Sequence, residues 1–345
     1  MINENSLKIR FFGDFTTAEN YQAEYEIDYK TNILRQFGYD YLLKDTDIYF
    51  KNSFNIVNLE SPITNVRQSE LKGKKPCIHW MDYNIAGDFL KRHNVNAVSL
   101  GNNHGYDYTH DGLVQTIEVL DKYNISHFGA GLDEKTAQMP FFKTFEIKGR
   151  KLNLYVFGGF KYRKDYYEDF KFYAKGNKSG VNLLTVDTAK SQIQEIKQND
   201  PDSLVVMFCH FGFDYMDKVS HQVEYAHGWI DFGADFVIGH GPHKMNEIEI
   251  YKGKTILYSI GNFCFPASFR NRMSPYNFVF ELEIFENETK QHIYPIYFDT
   301  YSLGALSRPL KEDELNEFIQ ELCAENVELK EKIQIQKGDV ICLTL

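Results

Sequence analysis

Five short stretches of this chain carry side chains suited to holding a cation: Asp14, Glu60, the pair Asn103-His104, His210, and the turn from His240 to His243. Carboxylates, imidazoles and one amide oxygen form a donor set that suits Mn, Fe or Zn rather than Ca or Mg alone. Each stretch follows residues with strand character. Lys8-Ile9-Arg10-Phe11-Phe12 runs into Gly13-Asp14, Phe54 to Leu59 into Glu60, and Asn96 to Leu100 into Gly101-Asn102-Asn103-His104. Leu204 to Phe208 leads to Cys209-His210, and Asp235 to Ile238 leads to Gly239-His240-Gly241-Pro242-His243. In α/β sheets, ligands gather outside the carboxyl ends of the strands, where loops converge above an apolar core. The pattern predicts a single site on one rim of the fold.

Taken singly, most of these residues have a plainer explanation. Asp14 could cap a turn, Glu60 before Ser61-Pro62 could be a solvated loop carboxylate, and Asn103 could serve a left-handed turn. His210 could be a buried, hydrogen-bonded histidine. His240 and His243 around Gly241-Pro242 resist that treatment most. The plain readings together require five coincidences, so the joint reading is a cation site. His79, His93, His110, His127, His221, His227 and His292 match no ligand position.

The elements between these stretches alternate. A short helix is expected over Ile85 to Arg92, and Leu113, Ile117 and Leu120 recur at helical spacing with Asp111 as N-cap. Phe141 to Ile147 and Leu152 to Phe157 read as a hairpin turned at Lys148-Gly149-Arg150. Helices carrying Ala189, Ile193 and Ile196, and then Val223, Ala226 and Ile230, precede the two histidine-bearing strands. A hairpin follows (Glu247 to Tyr251, Thr255 to Tyr258), then strands near Phe278 to Phe285 and His292 to Phe298. A helix is expected from about Glu312 to Lys332. With no linker or repeat, the chain reads as one α/β domain over 1–310 with a helical extension over 311–345 packed on it.

The 345 residues carry a formal charge of −10 and no long basic run, which argues against nucleic acid as a partner. The five cysteines are widely spaced and form no CxxC pair, so neither a disulfide framework nor a cysteine zinc site is indicated. No apolar run approaches the ~18 residues of a membrane span, and a cytoplasmic location is the expectation. The segment Phe160 to Phe172 reads either as a lid over substrate or as a solvated excursion. Lys72, Lys74, Lys75, Arg270 and Arg272 are cations that could meet an anionic substrate.

Several motifs together carry a family resemblance. They are Gly13-Asp14, Asn58-Leu59-Glu60, Asn102-Asn103-His104 with Asp107-Tyr108 and Gly112-Leu113, and His210-Phe211-Gly212 with Tyr215. Gly233-Ala234-Asp235 through His243, and Tyr258 to Phe263, complete the set. In order and spacing, over about residues 7 to 265, the chain resembles the CapA family of poly-γ-glutamate capsule proteins. That family is similar to the calcineurin-like metallophosphoesterases, so the resemblance implies a β-sandwich flanked by helices and one or two divalent transition-metal ions.

The same resemblance implies roles. Asp14 and His243 would bind a first metal, Glu60 would bridge, and Asn103, His210 and His240 would complete a second position. His104 would act as general acid on the leaving group, with Asp107 orienting its ring or capping the next helix. The first motif, Asp14-Phe15-Thr16, lacks the histidine that metallophosphoesterases place two residues after the aspartate. Glu60 stands where they have aspartate, and the final turn is one residue longer. The implied activity is hydrolysis of a phosphoester or related anionic substrate, with an acidic polymer as possible partner. The alternatives are a non-catalytic component of polymer assembly or a γ-glutamyl amide hydrolase.

Overall fold

The structure is a computed structural model and describes residues 6–17, 19–20, 33–265, 274–298, 306–324, 326–336 and 338–343. Arg270 and Arg272 lie outside the described residues. Four parallel strands, β1 (Leu7–Phe15), β2 (Phe54–Leu59), β3 (Ala97–Ser99) and β4 (Ser126–Phe128), form one half of the first sheet. The second sheet contains β5 (Phe141–Ile147), β6 (Arg150–Phe160), β7 (Leu204–His210), β8 (Phe236–His240), β9 (Ile248–Tyr251) and β10 (Lys254–Leu257). Its order is β9-β10-β8-β7-β6-β5, with β6, β7, β8 and β10 parallel.

The chain then returns to the first sheet. It adds β11 (Asn262–Cys264) beside the end of β1, β12 (Tyr276–Ile284) antiparallel to β1, and β13 (Thr289–Phe298) next to β12. β14 (Ser307–Pro309), β15 (Ile333–Ile335) and β16 (Ile341–Leu343) close that edge.

Strand alternation sorts the side chains into layers. Ile9, Phe11 and Ile56 of the first sheet meet Val156, Val206, Phe208 and Ile238 of the second in a shared core. Val205, Met207 and Val237 face the other way, onto α3 (Val186–Asn199) and α4 (Ser220–Phe232), where Ala189, Ile193, Ala226 and Trp229 cover them. The outer face of the first sheet, with Phe12, Val57 and Val98, is covered by α1 (Ala86–Arg92) and α2 (Thr109–Lys122) through Phe89, Leu90, Leu113 and Leu120. Full burial of such a side chain contributes about 1.5–3 kcal/mol. The result is the expected β-sandwich with helices on both faces.

Three expectations need correction. The N-cap of α2 is Tyr108, and Asp111 sits instead in the first turn, where its charge complements the helix dipole. The long C-terminal helix is cut short: α5 covers Glu314–Leu322, and a 3-10 turn follows over Val327–Lys332. Asn326 accepts a hydrogen bond from the Leu329 N–H and so starts a new turn. Beyond it Ile341 and Leu343 alternate inward as part of the sheet. The Phe160 to Phe172 segment is solvated only in part: Tyr162, Lys164, Tyr167, Glu168, Asp169 and Lys171 are exposed, whereas Phe160, Tyr166 and Phe172 are buried in the core on the helix side of the first sheet.

Candidate metal centre

Parallel register sets the site. His210 pairs with His240 across β7 and β8, and Asp14 pairs with Asn58 on β2 and Asn262 on β11. The carboxyl ends of both sheets therefore finish on one rim. A bulge between Phe12 and Asp14 sharpens the aim of β1. One extra residue reverses the alternation, so Phe12 and Phe15 both point to the helix-side core and Asp14 turns the other way, toward the second sheet. Gly13 is required there: a Cβ on it would stand 1.7 Å from the Gly261 carbonyl oxygen, and the Asp14 N–H donates to that same oxygen at 3.0 Å.

Asp14 lies at the meeting point of two groups. Its Oδ1 is 3.5 Å from His240 Nδ1 and 3.8 Å from His210 Nδ1, and its Oδ2 is 3.2 Å from His243 Nδ1. Glu60 Oε1 stands 3.9 Å from His243 Nε2 and 4.0 Å from His104 Nε2. Asp14, His210 and His240 can offer ligand atoms to one cation, and Asp14, Glu60 and His243 to another. The residue common to both groups is Asp14, whereas the family resemblance gave the bridging place to Glu60.

The donor set fits a cation. Neither Glu60 carboxylate oxygen nor Asn103 Oδ1 has a hydrogen-bond partner among the described residues, although all are buried. An unpaired buried carboxylate is costly. Burial, and then the neighbouring Asp14 carboxylate, push the Glu60 carboxyl well above its usual range. Burial also works against Asp14, but hydrogen bonds from His240 and His243 and the nearby imidazoles hold it well below. At His243, burial opposes protonation, yet Glu60 and Asp14 raise it to about 10. His210 and His104 are held low, chiefly by burial. Without a cation the protein must balance this pair of carboxylates with protons, on Glu60 and His243, and a divalent cation meets the same need.

A chain of amide side chains supports Asp14. Asn58 Nδ2 donates to Asp14 Oδ1 at 2.8 Å, and Asn102 Nδ2 donates to Asn58 Oδ1 at 2.9 Å. Asn102 Oδ1 accepts the His104 N–H at 3.0 Å. This amide chain links the Asp14 carboxylate to the His104 loop. Thr16, in the place where a histidine is missing, instead makes a short hydroxyl contact with Ser61. His104 Nδ1 is 2.5 Å from Asp107 Oδ2, so Asp107 orients the ring and does not cap α2. Lys75, named from sequence as a cation for an anionic substrate, and His79, set aside there as matching no ligand position, both reach this pair. Asn58 and Asn102 stood in the motifs without a role. Their dipeptides hinted at proximity, but nothing in a loop as long as the one after Glu60 marks which of its residues turn inward.

On the loop after His210, Phe213, Tyr215 and Met216 are exposed, and the Tyr215 ring lies 5.7 Å from that of His243. Lys161, lowered to about 8 chiefly by burial, sits over the Phe213 ring and donates to the Gly212 carbonyl. It ties the Phe160 to Phe172 segment to this loop. Among the described residues no helix is long and apolar enough to cross a membrane.

Comparison with known proteins agrees with the motifs. Residues 8–267 match the family described as bacterial capsule synthesis protein PGA_cap. The chain is 27% identical over 261 residues to the PGA biosynthesis protein CapA of Bacillus subtilis (strain 168), covering 75% of this chain and 66% of that one. It is 27% identical over 239 residues to the capsule biosynthesis protein CapA of Bacillus anthracis, covering 68% and 56%. It thus spans less than two thirds of the length of these curated relatives. Among solved structures, a purple acid phosphatase from yellow lupin seeds is similar at 10% identity and a TM-score of 0.37, over 90% of this chain and 55% of that one. The match takes in every motif from Gly13-Asp14 to Phe263, and the chain belongs to the bacterial capsule synthesis protein PGA_cap family.

Proposed function

We propose that this chain is a metal-dependent hydrolase acting on a phosphoester or a related anionic substrate in capsule or envelope polymer metabolism. The observation that carries the reading is Glu60: a fully buried carboxylate with no hydrogen-bond partner among the described residues, facing His243 and a second buried carboxylate. Asp14, His210 and His240 would hold one cation, and Asp14, Glu60 and His243 a second, with the Asn103 amide oxygen as a further ligand. Mn, Fe or Zn suits these donors. Such a cation supplies Lewis acidity to a phosphoryl oxygen.

His104 provides the proton. Its Nδ1 is committed to Asp107, which leaves Nε2 facing Glu60 and the cluster. Burial and then Lys75 disfavour the charged ring, so Nε2 would carry a proton only once Asp107 and an anionic substrate stabilise the imidazolium, and it would then pass that proton to a departing oxygen. The exposed ring of Tyr215, 5.7 Å from that of His243, can pack against the organic part of the substrate. The anion itself would be drawn by the cations, because the side chains lining the centre are carboxylates and imidazoles.

A second reading is a binding or assembly component of polymer synthesis. Thr16 favours it, since the first motif offers one ligand fewer than hydrolytic relatives of this fold carry. Reconstitution with Mn, Fe and Zn, followed by assay on aryl phosphates and on γ-linked oligoglutamate, separates the possibilities. Metal-dependent release of phosphate supports the hydrolase. Cleavage of oligoglutamate alone moves the reaction to the amide. Full metal loading with neither activity supports the assembly role.

A further inference from the structure

The segment from Lys75 to His79 encloses the His104–Asp107 pair more completely than packing alone requires. Lys75 and His79 are 4% and 1% exposed, and both belong to the loop after Glu60. Lys75 Nζ donates to Asp107 Oδ1 at 2.7 Å and to the Cys77 carbonyl at 3.0 Å, and it lies 3.0 Å from His104 Nδ1. The His79 N–H donates to Asp107 Oδ2 at 2.7 Å. The His79 ring lies flat on the His104 ring, with centroids 3.5 Å apart and planes 2° from parallel. Its Nδ1 is 3.3 Å from the Glu60 carbonyl oxygen.

We infer that Lys75 and His79 are positioning residues for His104, an inference that rests on the hydrolase reading above. Asp107 receives donors on both oxygens: Lys75 on Oδ1, and the His79 N–H together with His104 Nδ1 on Oδ2. The carboxylate plane is thereby set before substrate arrives. Stacking removes the remaining freedom, which is rotation of the His104 ring about its Cβ–Cγ bond. With Asp107 holding the Nδ1 proton and His79 holding the plane, Nε2 has one direction available, toward Glu60. Lys75 contributes the cation that lets Asp107 remain a buried carboxylate, since an unpaired charge there would be expensive. The loop after Glu60 thus carries both a metal ligand at its start and the clamp for the acid farther on.

The test uses the full-length protein. Nitrogen-15 NMR of histidine-labelled, metal-free protein reads the tautomer of His104 without reference to activity. Wild type should show a proton fixed on Nδ1 and protected from exchange with solvent. His79→Ala, which removes the stack but keeps the backbone donor, should give averaged nitrogen shifts and fast exchange, and His79→Phe should restore the wild-type pattern. Lys75→Met is the harsher change, so Lys75→Met/Asp107→Asn, which leaves no buried carboxylate behind, serves as its folded companion and should also lose the fixed tautomer.

In the reconstituted enzyme, His79→Ala should slow alkyl phosphates at least tenfold more than p-nitrophenyl phosphate, because only a poor leaving group needs the proton. A general structural weakening would slow both alike. A fixed tautomer and unchanged leaving-group dependence in His79→Ala would overturn the inference. If no phosphatase activity exists in wild type while the NMR pattern follows the prediction, the hydrolase reading fails and the positioning stands.

Discussion

Asp14 Oδ2 lies 3.2 Å from His243 Nδ1, and the Asp14 carboxylate reaches His240 and His210 through its other oxygen. One residue on β1 therefore joins the candidate ligands contributed by β7, β8 and the turn after β8. Asp14→Ala should abolish binding at both positions, whereas Glu60→Gln should remove one equivalent and leave the other. Elemental analysis of dialysed variants checks this. If Glu60→Gln empties both positions and Asp14→Ala only one, the shared ligand is Glu60.

His104→Ala should keep its metal and lose turnover by about 10²–10⁴-fold, the usual contribution of a general acid. Metal content and kcat are measured on the same preparation. Loss of metal in this variant would make His104 a ligand and remove it from the acid role.

Gly13→Ala tests the bulge. The added methyl cannot coexist with the Gly261 carbonyl at 1.7 Å, so the backbone of β1 or β11 must move. Overpacking of this kind costs about 1–3 kcal/mol, and the displaced Asp14 should bind metal more weakly. Denaturant titration with and without metal measures both effects; a variant as stable and as well loaded as wild type would contradict the geometry.

Far from the centre, Glu281 offers a pH-dependent test. Its burial opposes ionisation, but the hydrogen bond from His292 and the charges of Arg10 and Lys8 outweigh it and hold the carboxyl at about 2, below its ordinary value of 4.5. Arg10 Nε meets Glu281 Oε2 at 2.5 Å, and His292 Nδ1 meets Oε1 at 3.0 Å. A carboxyl whose value is lower when folded stabilises the fold above its unfolded value, and that contribution disappears as pH falls from about 4.5 through about 2. Glu281→Gln should therefore cost roughly 2–4 kcal/mol at pH 7, since it leaves Arg10 buried without its partner. The difference from wild type should shrink over that acid window. Urea denaturation at several pH values reads it, and a gap that stays constant with pH would refute the assignment.

What was legible in the sequence is uneven in an instructive way. Strands such as Leu204 to Phe208 announce themselves because both of their faces are buried and the run is short and apolar. The polar residues that end them stand out against that background, which is why Asp14, Glu60, His210, His240 and His243 could be grouped before any geometry was known. The bulge at Gly13-Asp14 was hidden, since it depends on the approach of Gly261 from a distant part of the chain. The inward turn of Lys75 and His79 onto Asp107 was hidden for a related reason. They lie in an irregular loop with no periodicity, where inward and outward residues look alike. At the C-terminus, apolar residues at helical spacing up to Leu322 were extended too far, and the alternation of Ile341 and Leu343 went unread because the strand is only three residues long.

Elemental analysis of the purified, reconstituted protein tests the central claim most directly. The arrangement of Asp14, Glu60, His210, His240 and His243 predicts about two equivalents of Mn, Fe or Zn, as in two-metal hydrolytic sites, retained through dialysis and lost in Asp14→Ala. Folded wild-type protein that retains no transition metal after reconstitution would contradict the account.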